Sequence, residues 1–257
     1  MIEIRTISQQ EIPDYLNLLC KVFNLEYERA HTILVNEPLF DLNRKWALFD
    51  SGKLVTTLTT THLEFGYEDV VGIAGVATEP ERQGEGLAGK LIQHVLEAAS
   101  RNGEMGALLF ATDGRLYANL GFEVVDTVVR GPILSSPLEL EADPVEFLFV
   151  RGLYRDWAEE SNARLRRDQK RWKYWNWFER SSFEVDEGYF TTEGGMVREA
   201  LWSKSPTKMP VIRGTEWVGL SKVTNDLQVP LGGLSSNMML MGRGVDFVPE
   251  FFMTDQF

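Results

Sequence analysis

Between Thr78 and Ala88 the chain reads Thr78-Glu79-Pro80-Glu81-Arg82-Gln83-Gly84-Glu85-Gly86-Leu87-Ala88, so a strand-like run gives way through two glycines to a helix-like one. Glycine lets a backbone approach a ligand closely, and the unpaired N–H groups of a helix's first turn, with its dipole, attract anions. This composition predicts a phosphate-binding loop. Gly84, Gly86 and Gly89 also spell the letters of a dinucleotide fingerprint. That reading fails on context: no acidic residue ends the next strand about 20 residues on, where a ribose would need it, and Met105 to Ala111 runs into Thr112 and, late, Asp113.

The run Gln83-x-x-Gly86-x-Ala88, preceded by a strand and Pro80, resembles the acetyl-coenzyme A signature of GCN5-related N-acetyltransferases (GNAT), and Tyr117-Ala118-Asn119-Leu120-Gly121-Phe122 resembles that family's second element, Tyr-x-x-x-Gly-Phe. Two ordered motifs are more specific than either alone. The resemblance implies an α/β GNAT fold with a mixed central sheet and acetyl-CoA as cosubstrate. It implies that the pyrophosphate lies on the backbone of Arg82, Gln83, Gly84, Glu85, Gly86, Leu87 and Ala88, and the pantetheine arm along Val76, Ala77 and Thr78. Glu85 departs from the family, placing a negative charge near the pyrophosphate unless Arg82 or Lys90 offsets it. Within the family, Ala107 to Asp113 running into Tyr117, with a long carboxy-terminal extension ending in an aromatic residue, is similar to the enhanced-intracellular-survival (Eis) type without its sterol-carrier-like domain. This implies a small-molecule amine acceptor (aminoglycoside, polyamine or amino-acid-like). A protein-lysine acetyltransferase and a non-catalytic acetyl-CoA sensor stay open.

An alkyl amine has a pKa of about 10, so attack at neutral pH requires a base, while the departing thiolate benefits from a donor such as tyrosine, pKa about 10. Tyr117 is the expected donor. For the base, the motif region offers no histidine and no carboxylate of clear position. The final stretch, Val245 to Phe257, is rich in large apolar residues that are costly to leave in water, so it should dock on the protein. Similarity to acetyltransferases whose terminal carboxylate reaches the active site implies that the Phe257 α-carboxylate takes the amine proton, with Glu26, Asp255 or ordered water behind it.

The elements that must position these groups follow from periodicity. Ile2 to Ile7 alternates like a strand, and Ile12, Tyr15, Leu16, Leu19 and Phe23 share one helical face. That helix has two competing start signals, a Ser8–Glu11 capping box and Pro13. Lys45 to Asp50 and Leu54 to Phe65 read as a hairpin about Ser51-Gly52, followed by a strand to Thr78, a helix from Gly86 to Arg101, a strand to Ala111, a short helix to Leu120 and a strand to Val129. Composition shifts near Gly131, and six of the seven tryptophans lie beyond it. The expectation is a catalytic domain over residues 1–130 and an α+β unit over 131–257 that contributes to the acceptor site, with the resemblance implying a degenerate second GNAT-like domain there. In that unit a helix is predicted over Arg155 to Phe178, with strands near 188–190, 197–202 and 210–219.

Hydrophobic residues at 44% and charged residues at 25% are those of a folded globular chain. A net charge of −12 disfavours nucleic acid and anionic membranes and suits a protonated amine. The basic, aromatic stretch Arg164 to Trp175 therefore reads as a docked helix with paired arginines. One cysteine, Cys20, and three scattered histidines supply no disulfide and no metal set. With no apolar block at the amino terminus and no spanning run, the expected location is cytoplasmic, without a membrane partner; a homo-oligomer stays open.

Overall fold

The computed structural model describes residues 1–134, 143–178, 180–185, 188–202 and 216–257. The first half runs β1 (Ile2–Thr6), α1 (Ile12–Phe23), α2 (Tyr27–Asn36), β2 (Lys45–Asp50), β3 (Lys53–Phe65), β4 (Asp69–Thr78), α3 (Leu87–Arg101), β5 (Gly106–Ala111), α4 (Arg115–Ala118) and β6 (Glu123–Pro132). The two start signals before α1 serve successive turns. Ser8 N–H and Oγ donate to Glu11 across a 3-10 turn (2.8 and 2.9 Å), and Pro13 then occupies the first turn of α1. The β2–β3 turn closes on Ser51 and Gly52, both at positive φ (52° and 82°), the pairing a tight hairpin demands.

The second half runs β7 (Asp143–Pro144), α5 (Phe147–Glu159), β8 (Leu165–Arg166), α6 (Gln169–Trp177), β9 (Ser181–Val185), β10 (Gly188–Glu193), β11 (Met196–Trp202), β12 (Glu216–Leu220), α7 (Ser221–Asp226) and β13 (Ser235–Arg243). The single helix predicted over 155–178 is two, because Leu165 and Arg166 pair with β3 and Asp168 restarts the helix by accepting from Arg171 N–H at 2.7 Å. Of the strand predicted near 210–219, residues 210–215 lie outside the described residues, as do Ser135, Ser136 and Pro137 of the predicted junction.

One mixed sheet joins both halves in the order β1-β2-β3-β4-β5-β13-β6-β12-β11-β10-β9-β7. β13, from the carboxy-terminal stretch, is hydrogen-bonded to β5 on one side and β6 on the other. Among the described residues the parallel strand pairs are β4–β5 and β11–β12, and α3 makes the crossover that β4–β5 requires. Leu87, Leu91, Ile92, Val95 and Ala99 form the buried stripe of α3, each large side chain contributing about 1.5–3 kcal/mol of burial. The opposite face carries α1 and, lower down, the aromatic cluster in which Tyr154, Trp172 and Trp175 meet Phe251 and Phe252.

Candidate functional site

Pairing of β4 with β5 runs from Val70↔Gly106 to Ile73↔Leu109 and stops, although β4 continues to Thr78. Beyond Ile73 the two strands part: Phe110 and Ala111 keep their pairing with β13 on the far edge of β5, and the end of β4 pairs only with β3. A bulge sharpens the parting. Register with β3 jumps from Thr57↔Ala77 to Thr59↔Ala74, so Leu58 faces both Gly75 and Val76, and Gly75 takes φ +59° to allow it. Val76, Ala77 and Thr78 therefore present an unpaired main-chain edge to a wedge in the sheet. An extended ligand arm could add to that edge as a strand would.

The wedge leads to the start of α3. Gly84 and Gly86 sit at φ +85° and +74°, and a Cβ built on either meets nothing within 4 Å. Such open, positive-φ glycines ahead of free helix N–H groups suit a phosphate. The Leu87 side chain is packed into the core, which leaves only its N–H for a ligand. Gln83 holds the loop to the strand, its Nε2 donating to the Thr78 carbonyl at 3.3 Å. Arg82 is committed to carboxylates: Nε and Nη2 donate to Glu85 at 2.6 and 2.7 Å, and Nη1 donates to Asp50 at 3.2 Å. That bidentate pair lowers the Glu85 pKa and offsets the charge near the loop.

Tyr117, on α4, rests edge-on to Phe122 (6.2 Å between centroids) against the same cluster as Val76 and α3. It is half-buried, and desolvation pushes its phenol above its usual pKa, so it stays protonated at neutral pH.

On the α1 face of the wedge lies a cavity of about 250 Å³ whose floor is Ala74 and Gly75. Phe257 forms one wall: its ring packs on Phe110 and Phe251 (5.5 and 6.1 Å) and covers Gly72. The tail that carries it is buried from Glu250 to Asp255. Its anchor is Arg167, fully buried, which donates to Asp255 (2.6 Å) and Glu199 (2.7 Å) and stacks over Tyr154 at 3.7 Å. Tyr174 OH adds a 3.3 Å bond to the Gln256 carbonyl. Asp255 thus points into an ion pair. Glu26, likewise, caps α2 by accepting from Glu28 and Arg29 N–H (2.9 and 2.7 Å).

The sequence reading missed the cavity's own polar groups. Glu37, just past α2, lies 3.7 Å from Lys45, which is almost wholly buried and donates to Thr59 Oγ1 at 3.4 Å; Tyr15 OH shares that hydroxyl. Burial raises the Glu37 pKa and lowers that of Lys45, each partly countered by the other. A neighbouring polar cleft of about 420 Å³, lined by Arg44, His62, Glu104 and Arg171, shares Leu39 and Thr61 with this cavity but does not touch β4. Among the described residues no group of three or more His, Cys, Asp or Glu could hold a metal ion, and no helix is long and apolar enough to cross a membrane.

The covered glycine gives a direct check on the tail. In Gly72→Ala the new Cβ would stand 2.6 Å from the Phe257 ring, so the ring must move, at a cost of about 1–3 kcal/mol. Thermal unfolding should show that loss, and an unchanged melting temperature would mean that the ring does not rest on Gly72.

Residues 3–125 match the family model for an acetyltransferase (GNAT) domain. No curated protein matches the chain in sequence. Among solved structures it is similar to a GCN5-related N-acetyltransferase from Anabaena variabilis (21% identity over 95% of this chain and 72% of that one, TM-score 0.72) and to one from Kribbella flavida (15%, 94% and 70%, 0.68). It is also similar to Eis1 from Mycobacterium abscessus (13%, 93% and 73%, 0.61). At these identities the likeness is one of fold, and it extends through the second half of the chain.

Proposed function

We propose that the chain, an acyltransferase whose residues 3–125 match the acetyltransferase (GNAT) domain, moves acetyl from acetyl-CoA to the amine of a small molecule by direct attack. The observation that carries this reading is the wedge between β4 and β5, which joins the open glycine loop to the cavity on the α1 face. The loop's N–H groups at the start of α3 would hold the pyrophosphate, and the free edge of Val76 to Thr78 would hold the pantetheine arm. The residues present fit that ligand: nothing fills the space over Gly84 and Gly86. Tyr117, kept protonated by burial, donates its proton to the departing sulfur. The cavity orients the amine, which can contribute several kcal/mol, about 7–11 at best.

Acetyl-CoA-dependent thiol release with an amine tests the reading. Tyr117→Phe should lower turnover about 10²-fold with acetyl-CoA affinity retained. A loss confined to affinity would make Tyr117 a packing residue. Release only with protein lysines would move the acceptor from small molecule to protein.

A further inference from the structure

The cavity beside Gly75 has an unusual balance for a chain of net charge −12. Among the described residues the charged side chains lining it are Glu37 and Lys45, which oppose each other at 3.7 Å and so leave no net side-chain charge. The remaining wall is mostly apolar: Leu19 and Leu34 from the two helices, Leu39 beyond them, and Phe257 and Tyr174 from the second half. At the rim Phe23 and Leu25 are 47% and 46% exposed, which extends the apolar surface outward. A polycation entering here would find Glu37 as the one side-chain carboxylate, already facing Lys45, for two or more charges, and burying an unpaired ammonium is costly. A monoamine with an apolar body leaves nothing unpaired.

Glu37 is built to meet that one ammonium. Lys45 holds its Oε1 side, and Thr59 fixes Lys45 in turn, while among the described residues Glu37 Oε2 has no hydrogen-bond partner. From this juxtaposition of one half-free carboxylate and an apolar wall, we infer that the acceptor is a monoamine carrying an apolar body and that Glu37 is the catalytic base that takes its proton. This rests on the acetyl-transfer reading above. Glu37 removes one proton from the ammonium and passes it to solvent at the cavity mouth. The freed nitrogen pair forms the C–N bond to the thioester carbonyl carbon, and the C–S pair leaves on sulfur, which Tyr117 protonates. A second nitrogen proton returns through water to Tyr117, and the amide keeps the third. Lys45 is a positioning residue that also keeps the lining neutral.

The test uses the full chain with acetyl-CoA and three acceptors: 2-phenylethylamine, spermidine and kanamycin. Expected is a kcat/KM for 2-phenylethylamine at least about 10²-fold above the others, a difference of roughly 2.7 kcal/mol. Glu37→Gln should lower kcat for 2-phenylethylamine about 10²-fold with acetyl-CoA affinity unchanged, and Glu37→Asp should restore part of it. Preference for spermidine or kanamycin, or no turnover of 2-phenylethylamine by a protein that binds acetyl-CoA, overturns the substrate class and leaves the acetyl-CoA site standing. Full activity of Glu37→Gln, with activity lost when one residue is appended after Phe257, moves the base to the terminal carboxylate. Failure to bind acetyl-CoA at all would instead sink the acetyl-transfer reading itself.

Discussion

Gly86→Asp is expected to weaken acetyl-CoA binding by more than about three orders of magnitude while the protein still folds. Two effects add. A non-glycine residue at φ +74° is strained by about 1–2 kcal/mol. A carboxylate about 4 Å from a phosphate near a protein surface repels it by about 4 kcal/mol, and each 1.4 kcal/mol is tenfold in affinity. Arg82 gives no relief, because it is already shared between Glu85 and Asp50. The fold should accept the change, since a Cβ at position 86 meets nothing within 4 Å. Gly86→Ala separates the terms: it carries the strain without the charge, and should lose only about tenfold. Titration calorimetry on variants with parental circular dichroism makes the comparison. An unchanged affinity in folded Gly86→Asp would remove the loop from the cofactor site.

The second large effect is on stability. Arg167→Met should destabilise the protein by about 3–5 kcal/mol, because it strips the fully buried Glu199 of its cation and leaves the equally buried Asp255 only Arg171, at 3.8 Å. Thr254, Tyr189 and Trp175 also donate to Glu199, but none supplies a charge. The pH dependence carries the signature. Burial opposes the charge on Glu199, yet Arg167 beside it holds its pKa below the usual carboxylate value. In the parent, that term stabilises at neutral pH and is lost as pH falls through the lowered pKa. In the variant, burial without the guanidinium raises the same pKa, so its penalty is absent below about pH 4 and grows as pH rises. Parent and variant should therefore differ most near neutrality and converge in acid. Urea unfolding across that range reads it out, and a gap that ignores pH would show that packing over Tyr154, not charge, is what Arg167 supplies. Because Arg167 anchors the tail that carries Phe257, the variant should also bind the acceptor more weakly than the parent at temperatures where it is folded.

What the sequence determined by itself is the turn proposed here to hold the cofactor. Gln83, Gly84, Gly86 and Ala88 lie together at one strand-to-helix turn, so their pattern is local and shows as spacing. The strands and α3 were legible for the same reason: each is a short-range periodicity matched to one face of the sheet. The acceptor half was not. Glu37 ends a helix with weak apolar patterning, Lys45 opens a strand, and Tyr174 and Phe257 come from the other end of the chain. As letters they are a surface-type acid, a surface-type base and two core aromatics. Only packing puts them around one cavity and buries the acid beside the base. The same holds for the tail. Its apolar run predicted docking, but which residues receive it depends on Arg167 meeting Asp255 and Glu199, 88 and 32 positions away in the chain. Likewise β13, with serines, an asparagine and methionines rather than β-branched alternation, is a strand because β5 and β6 leave a gap with unpaired edges on both sides, and burial of backbone polar groups requires that gap to be filled.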